Sequence, residues 1–144
     1  MSGFIDETFS TEDVFINTSK PIEINLKDIR LISSNGIREW IKFINKYKAA
    51  KFSFVECSKV FIDQVNATNG FCPPNAVVNS FYTPYFNKKT NTEKSVLFQY
   101  GKDYTENGIK APNEFTADQG EVFIIDINEN KYFKFIKNRS SLPL

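Results

Sequence analysis

Two hydrophobic periods lie close together in this chain, and together they restrict it to a layered fold. Ile22-Glu23-Ile24-Asn25-Leu26 alternates apolar and polar residues with a period of two, so it reads as a strand with one face toward a core. Shortly afterwards Ile37, Trp40, Ile41, Ile44 and Tyr47 recur at helical spacing, while Arg38, Glu39, Lys42, Asn45, Lys46 and Lys48 fall mostly on the opposite side. That helix is expected to run to about Ala49. Phe52-Ser53-Phe54-Val55 is a second strand, and Ser58 is placed to cap a shorter helix carrying Phe61, Ile62 and Val65 and ending near Gly70. Strand, helix, strand, helix is the order of an α/β fold: a sheet with helices on one face, joined by right-handed crossovers.

The flanking segments are plainer. Residues 1–20 scatter Phe4, Ile5, Phe9, Val14, Phe15 and Ile16 among acidic and hydroxyl residues, which suits one or two short strands. Lys27 to Ile32 reads as a linker. Ala76 to Phe86 and Ser95 to Tyr100 are rich in β-formers, and the polar run Asn87 to Lys94 between them predicts a hairpin with a solvated tip. Gly101 to Gly120 reads as a loose polar region, followed by the strand Val122-Phe123-Ile124-Ile125. Tyr132, Phe133, Phe135 and Ile136 fit helix or strand and are read as a short helix, and residues 138–144 as a flexible tail.

Composition narrows function by exclusion. The 144 residues include no histidine, which removes Ser-His and Cys-His nucleophile pairs, His-ligated zinc and the commonest general base near neutral pH. No Gly-rich phosphate loop replaces them, so a non-enzymatic role without cofactor is expected. Eighteen basic residues balance 17 acidic ones, so no global field favours nucleic acid or an anionic membrane. No apolar run approaches the roughly 20 residues of a spanning helix, and the first 20 residues do not form a signal sequence. A cytoplasmic location is expected, with Cys57 and Cys72 as reduced thiols of no assigned role.

Between the first strand and the long helix lies Ser33-Ser34-Asn35-Gly36, rich in residues that cap helices and accept unusual turn geometry. The run Ile-Glu-Ile-Asn-Leu, then Asp28-Ile29, then Ser33-Ser34-Asn35-Gly36-Ile37 resembles the STAS family, the anti-sigma-factor-antagonist fold, over roughly residues 4–80. A bacterial branch of that family is resembled more closely: its Ser-x-Gly-(Ile/Val)-Arg-Glu-Trp and Phe-(Ile/Val)-Asp-Gln-(Leu/Val)-Asn strings match Ser34 to Trp40 and Phe61 to Asn66. The resemblance implies a STAS-like mixed sheet over residues 1–80 and a small β-rich, ribbon-like extension over 81–137. It also implies that Ser34 is a phosphoacceptor for a serine kinase that is itself an anti-sigma factor, and that Ser33, Ser34, Asn35, Gly36 and Arg38 form the docking surface. This chain departs from the pattern at Ser33, where an acidic residue is usual. The two Cys-x-x-Cys pairs of the relatives' ribbon fall near Asn87 to Thr90 and Thr116 to Gln119, where no cysteine stands, so the extension is expected to be metal-free.

A plainer reading stands beside this one. Ser34 alone fits a helix N-cap contributing about 1 kcal/mol, and the chain would then be a constitutive scaffold or complex subunit. Trp40 reads as core. Lys46, Lys48, Lys51, Lys88 and Lys89 read as solvated surface, and Phe81, Tyr82, Tyr85 and Phe86 as interior packing rather than a base-stacking platform.

Overall fold

The computed structural model describes residues 2–5 and 20–138. The expectations for residues 6–19 and for the tail after Asn138 lie outside them. In the first half, β1 (Ser2–Ile5) pairs in parallel with β3 (Asp28–Ile32), and β2 (Ile22–Asn25), β4 (Phe52–Val55) and β5 (Ala76–Val78) form a parallel sheet in the order β2-β4-β5. Parallel neighbours require a long crossover. α1 (Ser34–Lys46) supplies it between β2 and β4, and α2 (Lys59–Ala67) between β4 and β5. The class is mixed α/β, as the sequence periods require.

The segment Lys27 to Ile32 is not a linker, since most of it is β3. Ile29 is buried between the exposed Asp28 and Arg30, but the register with β1 slips by one residue after Ile29, so Leu31 turns outward and Ile32 becomes the half-buried position.

α1 buries Gly36, Trp40, Phe43 and Ile44, with Tyr47 closing the stripe just beyond it. The Trp40 indole lies 5.5–5.8 Å, centroid to centroid, from Phe43, Phe54, Phe61 and Phe71. Its N–H donates to the Phe71 carbonyl at 2.9 Å, which satisfies the one polar atom such a site must accommodate. Because Trp40 and Phe61 both meet the ring of Phe54, α1 and α2 cover the same face of β4.

The second half is an antiparallel sheet of β6 (Ser80–Asn87), β7 (Thr92–Gln99), β10 (Glu114–Thr116) and β11 (Val122–Ile125), in the order β10-β11-β6-β7. Between β7 and β10 a small ladder joins β8 (Tyr104–Thr105) to β9 (Gly108–Ile109). The stretch from Gly101 to Gly120 therefore contains three short strands, contrary to its reading as loose. The hairpin tip is also shorter than its polar run suggests. β7 begins at Thr92, and the turn is Lys88 to Asn91. The buried Asn87 accepts the amides of Lys89 and Thr90 on its Oδ1 at 2.9 and 3.2 Å, and Asn91 takes the left-handed region at φ +58°. α3 (Glu129–Tyr132) and a 3-10 turn (Phe133–Asn138) end the described residues, and they form the expected helical segment.

The two sheets meet along one strand path. Asn79 donates to the Phe54 carbonyl, Cys57 to that of Ser80, and Tyr82 back to that of Cys57, so residues 76–82 run beside β4 before β11 takes over at Tyr85. Pro84 occupies the changeover, where its lack of an N–H breaks no ladder on that side, and its carbonyl still accepts from Asp126 at 3.0 Å. Phe81 packs on Phe98, Tyr104, Tyr132 and Phe135, and one hydrophobic cluster contains it together with Trp40.

Candidate functional site

Ser33 sets the geometry at the amino end of α1. It stays extended (φ −88°, ψ 168°) because β3 runs up to Ile32, and its hydroxyl accepts the Gly36 amide at 3.0 Å while its carbonyl takes the Ile37 amide at 2.9 Å. Ser33, not Ser34, is therefore the N-cap. The capping role expected of Ser34 falls one residue earlier, and Ser34 is the first helical residue.

Ser34, Asn35 and Arg38 are exposed, whereas Gly36 is buried. The first turn contains no acidic side chain. Its leading amides and the partial positive charge of the helix end thus face outward without a resident carboxylate. Leu31, two residues before the cap, keeps 51% of its surface exposed, which is unusual for a large aliphatic side chain in a strand. The site thus combines a hydroxyl, an amide side chain, a guanidinium and an aliphatic side chain around one positively polarised helix end. Of the residues singled out from sequence, Ser33, Ser34, Asn35 and Arg38 share this surface, while Gly36 lies beneath it. Leu31 was missed, because simple alternation with Asp28 and Arg30 would place it beside the buried Ile29, and the register slip with β1 that turns it outward has no local signal.

A second polar constellation lies where β4 gives way to β6. Glu56 has φ +49°, a region that L residues seldom occupy, and its amide donates to the buried Ser80 hydroxyl at 2.6 Å. Its carboxylate accepts from the Tyr82 hydroxyl at 3.0 Å and from the Asn25 side-chain amide. Burial raises the Tyr82 phenol above its ordinary pKa, and the Glu56 and Asp28 carboxylates add to the effect. Tyr82 therefore remains a neutral donor to Glu56. Burial likewise pushes up the Cys57 thiol, so it is not a ready thiolate.

Two cavities lie elsewhere. One of about 460 Å³ is bounded by Asn66, Thr68, Gly70, Cys72, Tyr104 and Ile136, and one of about 440 Å³ by Lys59, Asp63, Asn66, Asp126, Lys131 and Lys134. Neither includes any residue from Ser33 to Arg38. Among the described residues no group of three His, Cys, Asp or Glu side chains could hold a metal ion, and no helix is long and apolar enough to cross a membrane. In comparisons with known proteins, no family model, no curated protein and no solved structure matches the chain.

Proposed function

We propose that this chain is a non-enzymatic regulator that binds a protein partner through the amino end of α1. In this reading it works in the manner of the anti-sigma-factor antagonists it resembles, and phosphorylation of Ser34 switches the complex. The observation that carries the proposal is the division of labour between adjacent serines. Ser33 provides the cap, and Ser34 stands exposed at the first helical position, with the exposed Arg38 one turn further on and the exposed Leu31 three residues earlier in the chain. A phosphate there would be stabilised by the leading amides while adding nearly two negative charges to the surface. A partner that packs on Leu31 would then face a desolvated anion, which opposes binding by repulsion and lost packing.

The finer fold reading belongs to the same proposal: a STAS-like sheet followed by a metal-free ribbon. Two features support it. The turns at Lys88 to Asn91 and Ala117 to Gly120 lie at the same end of the antiparallel sheet, near the positions where relatives have cysteine pairs. The stacked rings of Phe115 and Phe123, 5.3 Å apart, pack there with Lys94 over both. A cytoplasmic, reducing setting belongs to the same reading.

The test is capture of the partner from native extract, then phosphorylation by any serine kinase captured. Intact mass and peptide mapping should locate one phosphate on Ser34. Ser34→Asp should weaken the partner at least about tenfold, which is about 1.4 kcal/mol, while Ser34→Ala should bind as the native chain does. Modification confined to other residues, together with undiminished binding by Ser34→Asp, overturns the switch.

A further inference from the structure

The antiparallel register sorts the second half into two unlike faces. Residues directly opposite across a ladder share a face. Phe81, Thr83 and Tyr85 of β6, with Phe98 of β7 and Phe123 of β11, point into the core. On the other face, Tyr82 lies opposite Leu97, Pro84 opposite Ser95, Phe86 opposite Glu93 and also Ile124, Ile124 opposite Glu114, and Val122 opposite Thr116. This outer face therefore carries an apolar band of Tyr82, Pro84, Phe86, Leu97, Val122 and Ile124 across three adjacent strands. Val122 and Ile124 are 44% and 37% exposed, two of the three exposed large hydrophobic residues among those described.

The charged residues at outward positions of these four strands, Glu93 and Glu114, have one sign. Glu93 and Glu114 flank the Phe86 and Ile124 end, and Glu56 accepts the Tyr82 hydroxyl at the other. No lysine or arginine occupies an outward position of these four strands. The one lysine within them, Lys94, is paired with Tyr85 on the inner side, over the Phe115 and Phe123 rings. Lys88 and Lys89 lie in the turn beyond the strands.

We infer that the outer face of the β10-β11-β6-β7 sheet is a docking surface for a basic, amphipathic protein segment. The segment's aliphatic side chains cover Phe86, Leu97, Val122 and Ile124, and its lysines or arginines meet Glu93, Glu114 and Glu56. Charge selects this occupant over others. A second copy whose Glu114-Ile124-Phe86-Glu93 row met its own equivalent would set like carboxylates against one another, and an anionic membrane or nucleic acid meets the same repulsion. This surface is separate from the amino end of α1 and does not depend on Ser34.

The probe is a fluorescent eight-residue peptide alternating Leu and Lys, with a Leu and Glu counterpart as control, titrated into the full chain near physiological salt. The basic peptide should bind with a Kd in the micromolar range and perturb the amides of Phe86, Leu97 and Ile124, while the acidic one should not bind at millimolar concentration. Glu93→Lys with Glu114→Lys should weaken binding at least about tenfold, and so should Ile124→Ser; far-UV ellipticity and its thermal melt verify that each variant is folded throughout. Absence of binding by the native chain, equal binding of both peptides, or binding unchanged by these substitutions overturns the inference. Sedimentation showing a dimer that Ile124→Ser abolishes also overturns it, in favour of a second copy.

Discussion

At the residue scale, the division between Ser33 and Ser34 has a measurable consequence. The Ser33 hydroxyl satisfies the Gly36 amide at 3.0 Å, and that amide lies in a buried residue with little access to replacement water. Ser33→Ala should therefore lower stability by about 1 kcal/mol, whereas Ser34→Ala should change it by less than about 0.5 kcal/mol. Denaturant unfolding of the two variants measures the difference, and the reverse order would return the cap to Ser34. From sequence the two were indistinguishable. Each serine lies three residues before an amide it could cap, Gly36 for Ser33 and Ile37 for Ser34. What decides is the extended backbone that β3 imposes through Ile32, and β3 was legible only in a short alternation interrupted by charges. Glu56 was not legible at all, because its left-handed conformation follows from the junction of two sheets and not from any local turn residue.

At the element scale, the β6-β7 hairpin shows why a polar run does not define a loop. Thr92, Glu93 and Lys94 read as a solvated tip, yet they pair with Asn87, Phe86 and Tyr85. Glu93 faces outward, and Lys94 lays its charge over the Phe115 and Phe123 rings, so both polar side chains are accommodated without leaving the ladder. The ladder can extend that far because the turn is compact: Asn87 gathers two amides, and Asn91 accepts a positive φ that asparagine tolerates well. Asn91→Val, a branched residue forced into that region, should destabilise the chain by about 1–2 kcal/mol, and Asn91→Gly should not destabilise it. Thermal melts of the pair provide the measurement, and equal losses in both would mean that Asn91 acts through its side chain. α1, α2 and the strands β2 and β4 were legible because their apolar residues recur at a clear period, and β11 because its run is wholly apolar. β8, β9 and β10 are two or three residues long, too short to show a period.

At the scale of the whole molecule, the question is whether the halves fold together. The change of pattern near residue 80 suggests a boundary, and a change of sheet type does occur there, from parallel β4-β5 to antiparallel β6-β7. The chain itself does not pause. Residues 76–87 run from one sheet into the other, with Asn79, Cys57 and Tyr82 exchanging backbone hydrogen bonds across the change. Phe81, fully buried one residue past the boundary, packs on rings from β7, β8, α3 and the 3-10 turn, while its neighbours hold the end of β4. A sequence period reports the face each residue presents and carries no information about which segments share an interior, so this continuity was not readable in advance. Cooperative unfolding of one core is expected in a chain of this size. Trp40 is the single tryptophan and reports the first half, whereas far-UV ellipticity reports the whole. The two unfolding curves should coincide. Phe81→Ala should shift both by the same amount, about 3–5 kcal/mol, although it removes side-chain contacts mostly within the second half. A Trp40 transition left at its native midpoint while the ellipticity falls early would instead separate the chain into two independent units.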